Sequence, residues 1–123
     1  MSKKLVVIRT LRGGIKRHTL RNAVEVESKT YARALTDHFK QLGRARLHLL
    51  DCSEIRCVVP EVFDAIVAVH KRLKLQGRKL VISAGDNVRR YSQYRQGFCA
   101  DGVEVCLTEE DAVRELLASP MNR

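Results

Sequence analysis

The sequence predicts a single α/β domain built around a mostly parallel β-sheet. Short apolar runs typical of strands alternate with longer segments whose apolar residues recur every three or four positions, as on one face of a helix. The chain has 123 residues, which fits one domain and leaves no room for two. Hydrophobic residues make up 45% of it, a fraction that excludes a disordered chain. Residues 1–123 are therefore expected to form one domain.

The first elements lie in a basic N-terminal region. A β-branched apolar run predicts a strand at residues 5–10. Gly13 and Gly14 interrupt it, and the basic segment up to Asn22 is expected to form a turn or an irregular hairpin arm. Residues 23–27 alternate apolar and acidic side chains, which predicts a short strand with one solvent-facing side.

The first helix is expected to begin at Thr30, whose hydroxyl can cap it, and to end at Gly43. Its apolar positions share one face at spacings of three and four. These positions are Tyr31, Leu35, His38, Phe39 and Leu42.

The next strand and helix are predicted from stronger local signals. Residues 46–50 have strand character, and Asp51 and Ser53 follow them. Pro60 suits the first turn of a helix, where Glu61 faces the positive end of the helix dipole, and Gly77 is expected to end that helix. The helix has an inward stripe of six residues. They are Val62, Phe63, Ile66, Val69, His70 and Leu73.

The remaining elements repeat the alternation. Residues 79–83 are short and apolar, as central parallel strands are. Asp86 or Asn87 could cap a third helix, which Gly97 would end. A strand at residues 103–107 would follow. The regular order of strands and helices implies right-handed crossovers and a mostly parallel sheet.

The C-terminal segment carries a helix start. Thr108, with Asp111 three residues later, is similar to a capping box that has Asp in place of the usual Glu. The segment after Ala118 is the one candidate for disorder.

The charge allows a second class of function. Lys and Arg number 23 against 14 Asp and Glu, a formal net charge of +9 that favours an acidic partner such as nucleic acid, an acidic protein surface or an anionic membrane. Only Tyr91 and Tyr94 stand among the basic residues as possible base-stacking groups, so a solvated basic helix is the favoured interpretation there. The basic face considered for polyanion contact consists of Arg9, Arg12, Lys16, Arg17, Arg21, Arg89, Arg90 and Arg95.

No pattern of catalytic, metal-binding or cofactor-binding residues is visible. Gly13 and Gly14 precede a basic turn rather than a helix, which argues against a phosphate-binding loop. The four cysteines contain no C-x-x-C pair, so buried reduced thiols are expected, with Cys52 in the core. The apolar run at residues 5–8 is too short for a signal peptide or a membrane span, so a cytoplasmic protein is expected.

Several segments together resemble the STAS domain family (sulfate transporter and anti-sigma factor antagonist). Residues 47–55 resemble the family's central strand, which typically ends in Asp-Leu-Ser-Gly-Val. Residues 77–82 resemble its next strand, residues 88–90 and 97–98 its Val-Arg-Arg and Gly-Leu signature, and residues 108–113 the start of its last helix. The resemblance covers about residues 24–117.

This resemblance implies both a fold and a role. The fold would be a four- to five-stranded sheet with about four helices mainly on one face. The role would be non-enzymatic regulation through protein binding, with an anti-sigma factor or histidine-kinase-like ATPase as the leading partner class. A STAS subunit of a transporter or signalling complex and a homodimer are alternatives.

One position departs from the family pattern. Family antagonists are controlled by phosphorylation of a Ser in an Asp-Ser-Ser-Gly motif, which aligns here with residues 59–62 and places Glu61 at the phosphoacceptor position. No Ser, Thr or Tyr occurs from residue 54 to residue 82. Glu61 is thus either a partial mimic of phosphoserine or simply a favourable acid in the first turn of a helix, and the second interpretation is preferred.

The resemblance implies that the partner binds around the start of this helix. The predicted docking residues belong to the helix start and to the loop after the following strand. They are Arg56, Val58, Val59, Pro60, Glu61, Asp64, Gly85, Asp86 and Asn87.

Overall fold

Strands and helices alternate along the chain in the predicted order. The computed structural model describes residues 5–22, 26–55, 59–85 and 88–118. Within these ranges lie five strands and four α-helices, with a short 3-10 turn at Arg12–Gly14. The strands are β1 Val6–Thr10, β2 Lys16–Leu20, β3 Leu47–Asp51, β4 Lys79–Ser83 and β5 Glu104–Cys106. The helices are α1 Ser28–Lys40, α2 Pro60–Leu75, α3 Val88–Cys99 and α4 Glu109–Ala118.

The five strands form one sheet in the order β1-β2-β3-β4-β5. β1 is antiparallel to β2, and the other neighbours are parallel. The basic segment before Asn22 is therefore a regular strand rather than an irregular arm, because β2 pairs on both sides and buries His18 and Leu20. Val26 and Glu27 lie outside any strand, which contradicts that part of the strand predicted at 23–27; residues 23–25 lie outside the described ranges.

The sheet separates two apolar clusters. Because side chains alternate along a strand, Leu50 and Ile82 pack into the larger cluster with α1, α2 and α3, while Leu49 and Val81 pack against α4. Three helices thus cover one face and one helix covers the other. The predicted class, a mostly parallel α/β sheet with helices mainly on one face, is confirmed.

Helix α1 begins earlier than its sequence suggests. The Tyr31 backbone N–H donates to the Glu27 carbonyl at 2.9 Å, so Thr30 lies inside the helix rather than at its cap. The predicted apolar face is largely correct, since Tyr31, Leu35 and Phe39 are buried.

Two predicted helix boundaries are confirmed. Gly77 has a φ of 73°, a conformation that glycine adopts freely, and it follows Gln76, the C-cap residue of α2. At the start of α4, the Thr108 hydroxyl accepts the Asp111 backbone N–H at 3.1 Å. This is the expected capping bond.

Gly97 does not end α3, which continues to Cys99. The phenyl rings of Phe63 and Phe98 stack with centroids 4.3 Å apart, and a Cβ atom at Gly97 would lie 2.3 Å from Phe63 Cε2. The glycine therefore permits close contact between α2 and α3. Cys52 is buried as expected, whereas Cys99 is exposed, contrary to the prediction of buried thiols.

Candidate docking surface

The start of α2 lies at the edge of the sheet where the parallel strands end. α2 connects β3 to β4, so its first residue follows the carboxyl end of β3 after a short loop. Gly85 follows the carboxyl end of β4, and its backbone N–H donates to the Leu107 carbonyl at 2.9 Å. The sheet thus brings the helix start and the loop after β4 to one edge, as the predicted site requires.

The N-terminal end of α2 is built from three successive residues. Val59 has an extended backbone at the N-cap position, and its side chain has no oxygen that could accept a hydrogen bond from the helix. Pro60 occupies the first helical position, where its missing N–H costs nothing. Glu61 follows in the first turn and is exposed to solvent. The start of the helix therefore has no side-chain cap from Val59 and places the Glu61 carboxylate in solvent.

Glu61 has one neighbour that the sequence did not reveal. The Ser28 hydroxyl, in the first turn of α1, donates to Glu61 Oε1 at 3.2 Å. The starts of α1 and α2 are therefore adjacent. The separation of 33 residues in sequence leaves no local pattern from which this contact could be read.

Acidic residues concentrate at this edge although the chain as a whole is strongly basic. Asp51, Glu54, Glu61 and Asp64 lie at the end of β3, in the following turn and in the first turns of α2. Arg21, at the end of β2, pairs with Glu54 at 3.4 Å. We call Val59, Pro60, Glu61, Asp64 and Gly85 the helix-start surface.

The predicted docking residues fall into two groups. The helix-start surface contains all those that the structure describes, whereas Arg56, Val58, Asp86 and Asn87 lie outside the described residues. Val59 is partly buried and packs against the core, so it supports the surface from below rather than standing out from it.

A local hydrogen bond stabilises the loop that leads to α2. Asp51 Oδ1 accepts the Ser53 backbone N–H at 3.0 Å, and the Thr19 hydroxyl donates to Asp51 Oδ2 at 3.3 Å. The Asp51 carboxylate therefore links β2, β3 and the turn. This arrangement uses the backbone of Ser53 and not its hydroxyl.

The basic residues considered for polyanion contact do not share one face. Arg9, Arg12, Lys16, Arg17 and Arg21 belong to the region of β1 and β2, at one edge of the sheet. Arg89, Arg90 and Arg95 belong to α3, which contacts β5 at the opposite edge. Arg17 also pairs with Glu109 at 2.8 Å. Polyanion contact stays a prediction, and the sheet divides its proposed surface in two.

Three histidines form a hydrogen-bonded chain between β2, α1 and β3. His18 Nδ1 lies 2.8 Å from His38 Nε2, and His18 Nε2 lies 2.9 Å from His48 Nδ1. His48 Nε2 lies 2.9 Å from the Ala45 carbonyl oxygen. We call these three side chains the histidine chain. His18 and His48 are fully buried, and the ring of Phe39 lies against that of His18.

The Ala45 carbonyl sets the direction of every hydrogen bond in the histidine chain. A carbonyl only accepts, so His48 donates through Nε2 and, when neutral, accepts through Nδ1. His18 must then donate through Nε2, which leaves its Nδ1 to accept from His38 Nε2. Burial lowers the pKa of His18 to about 2 and lowers that of His48 as well, so both rings are neutral near pH 7, as this arrangement requires.

This cluster is a structural element rather than a metal centre. Its ring nitrogens face one another, and in the described ranges no group of three or more His, Cys, Asp or Glu is placed to hold a metal ion. Among the helices that the structure describes, none is long and apolar enough to cross a membrane.

Comparison with solved structures identifies the fold. No family model matches the sequence, and no curated protein matches it either. The structure is similar to that of RsbS from Moorella thermoacetica, in a Ser-to-Glu variant, with a TM-score of 0.67 and 12% identity over 91% of this chain and 94% of that one. The chain has the STAS fold.

A second solved structure supports the same conclusion. A candidate anti-sigma factor antagonist from Thermotoga maritima has a TM-score of 0.62 and 12% identity, again over 91% of this chain and 94% of that one. In both comparisons the similarity covers nearly the whole of each chain.

Proposed function

We propose that this chain is a non-enzymatic regulatory module of the anti-sigma factor antagonist type, which docks on a protein partner through the helix-start surface. The observation that carries the proposal is the exposed, uncapped start of α2 with Glu61 at its centre, in a fold shared with two such proteins. An anti-sigma factor or histidine-kinase-like ATPase in the cytoplasm is the partner class that fits.

The charge of the surface defines what the partner should present. Glu61 and Asp64 give the start of α2 two exposed carboxylates, and the first N–H groups of α2 are hydrogen-bond donors. A partner with Arg or Lys side chains would pair with these carboxylates, and its exposed carbonyl or carboxylate oxygens would accept hydrogen bonds from the N–H groups. Charge pairs of this kind fix the orientation of docking partners.

Phosphorylation on α2 is not part of the proposal. No hydroxyl residue occurs between residues 54 and 82, and a carboxylate carries one negative charge where phosphoserine carries nearly two. The RsbS structure is that of a Ser-to-Glu variant, so that protein keeps its fold with a glutamate in place of one serine. The regulatory state of this chain would then be fixed at Glu61 rather than switched there.

The docking test is a charge reversal with a matched control. Glu61→Lys should weaken binding to a partner isolated by affinity capture by about 2–5 kcal/mol, or roughly 30-fold to several thousandfold. Glu110→Lys is the control, because Glu110 is also exposed in the first turn of a helix but lies on α4, behind the opposite face of the sheet.

Both substitutions oppose a helix dipole and should lower stability by only about 0.3–1 kcal/mol. Calorimetric titration and thermal unfolding of both variants therefore separate docking from folding. A folded Glu61→Lys protein that binds as tightly as the parent would show that the helix-start surface is not the docking site.

The absence of a phosphorylation switch has its own test. Incubation with a cognate kinase and ATP, followed by peptide mapping, should find no phosphate between residues 54 and 82. Glu61→Ser restores a hydroxyl at the family position and should create a substrate. Phosphate on Ser28, whose hydroxyl contacts Glu61, would show instead that the switch lies on α1.

A further inference from the structure

The outer edge of β1 is open for strand pairing. Within the described residues β1 pairs only with β2. The Leu5 carbonyl accepts the Arg21 N–H at 2.8 Å, and the Leu11 N–H donates to the Ile15 carbonyl at 2.7 Å, so the odd-numbered residues bond to β2. The N–H and C=O groups of Val6, Ile8 and Thr10 therefore point outward, because these directions alternate in an antiparallel pair.

A mostly apolar groove, with His38 and Gln41 also in its walls, runs beside this edge. It lies between β1 and α1, with a volume of about 450 Å³, and its walls include Val6, Ile8, Ala34, His38 and Leu42. Ile8 is 49% exposed. Exposed apolar side chains on an unpaired edge strand are a feature that isolated proteins usually avoid, since they invite pairing with another chain.

The charged side chains of the β1–β2 hairpin beside this groove are all basic. Residues 5–22 contain no acidic side chain, and five basic ones, Arg9, Arg12, Lys16, Arg17 and Arg21. Of these, Arg17 and Arg21 pair with acids elsewhere in the chain, whereas Arg9 and Arg12 form no ion pair with any described residue. Arg9 is exposed on the face of β1 opposite Ile8.

We propose that the β1 edge binds an extended acidic segment of a partner protein as a sixth strand. Alternate side chains of such a strand point to opposite faces, so a segment that alternates apolar and acidic residues places its apolar side chains in the groove beside Ile8 and its carboxylates beside Arg9. This site lies apart from the helix-start surface and does not depend on it.

Other occupants fit fewer of these features. Pairing the β1 edges of two copies would bring together two hairpins that carry no acidic residue. A nucleic acid would use the basic charge but neither the main-chain edge nor the apolar groove. An acidic strand uses all three.

The test uses the intact protein and a fluorescein-labelled octapeptide of alternating Val and Glu, followed by fluorescence anisotropy. A second peptide of the same sequence is the control for strand pairing. In it, the backbone amides that would donate hydrogen bonds to β1 are N-methylated. The first peptide should bind and the methylated one should bind at least about tenfold more weakly, because two or more main-chain hydrogen bonds are lost. Equal binding of the two peptides, or no binding of the first, overturns the proposal.

Two protein variants locate the site. Ile8→Pro removes an outward N–H that the β1–β2 pair does not use, so the fold should remain while peptide affinity falls about tenfold or more. Arg9→Glu should weaken binding roughly 5- to 50-fold, whereas Lys74→Glu, on α2 beside β4, makes the same charge change away from β1 and should leave it unchanged.

The remaining outcomes identify a different occupant. A dimer seen in sedimentation and abolished by Ile8→Pro would make a second copy the occupant and overturn the proposal. Duplex DNA that displaces the peptide, and whose own binding is insensitive to Ile8→Pro, would overturn it in favour of nucleic acid. Circular dichroism confirms that each variant is folded.

Discussion

The helix-start surface and the histidine chain connect α1 to its neighbours in opposite ways. At the helix-start surface, α1 meets α2 through one hydrogen bond between exposed side chains, Ser28 and Glu61. At the histidine chain, His38 of α1 bonds to the buried ring of His18 in β2, and His18 bonds in turn to the buried ring of His48 in β3. Exposed polar contacts contribute little to stability, and buried ones cost much when broken. The first region is thus free to serve binding, and the second maintains the fold.

The largest expected effect is the loss of the central imidazole. His18→Ala leaves His48 Nδ1 and His38 Nε2 without their partner and opens a cavity beside Phe39, so the free energy of unfolding should fall by roughly 3–5 kcal/mol. His70→Ala is the control, because His70 is only partly buried and its Nδ1 has no partner among the described residues. It should cost about 1 kcal/mol or less in urea denaturation. Equal losses would remove the distinction between the two regions.

The second-largest effect is expected at low pH, where protonation should destabilise the histidine chain. The unfolded chain takes up a proton at His18 as the pH falls below about 6.5. The folded protein does not, because burial lowers the pKa of His18 to about 2. Stability contributed by neutral His18 is therefore present above about pH 6.5 and lost below it, by roughly 2–3 kcal/mol between about pH 7.5 and 4.5. His48 changes in the same direction.

Urea denaturation at a series of pH values measures this loss. His18→Gln keeps one donor and one acceptor but does not titrate, so its stability should depend less on pH than that of the parent. An unchanged dependence in this variant would assign the acid sensitivity to other groups.

The contact between Gly97 and Phe63, beneath the helix-start surface, should affect both stability and docking. Gly97→Ala would place a methyl carbon 2.3 Å from Phe63 Cε2, one turn into α2, and should cost about 1–3 kcal/mol while displacing the helix start. Gly43→Ala, which meets nothing within 4 Å, should change stability by no more than about 0.5 kcal/mol. Thermal unfolding and partner titration of both variants would show whether docking depends on this packing.

The smallest effects concern the turn after β3. Asp51→Ala removes two hydrogen-bond acceptors and should cost about 1–2 kcal/mol, whereas Ser53→Ala leaves the backbone N–H in place and should cost less than about 0.5 kcal/mol. Partner binding should persist in the Ser53 variant. Loss of binding by a folded Ser53→Ala protein would extend the docking surface to this turn.

The sequence by itself determined the elements whose causes are local. Pro60, Gly77 and Thr108 act on the backbone within a few residues of themselves, and each marks a helix boundary that the structure confirms. The alternation of apolar runs likewise predicted the parallel sheet and, with the family motifs, the STAS fold. The predicted docking residues that the structure describes lie at one edge for the same reason, since consecutive parallel strands end together.

Only the tertiary structure decided what depends on contacts between distant residues. Gly97 resembles a helix terminator in sequence, but α2 packs across it and requires a residue without a side chain. The three histidines are 10 to 30 residues apart, and strand register together with the position of α1 brings their rings together. The basic residues appear in sequence as one charge class, yet the sheet places them at opposite edges. Local propensity acts over a turn or two of chain, whereas these arrangements depend on which faces the fold buries.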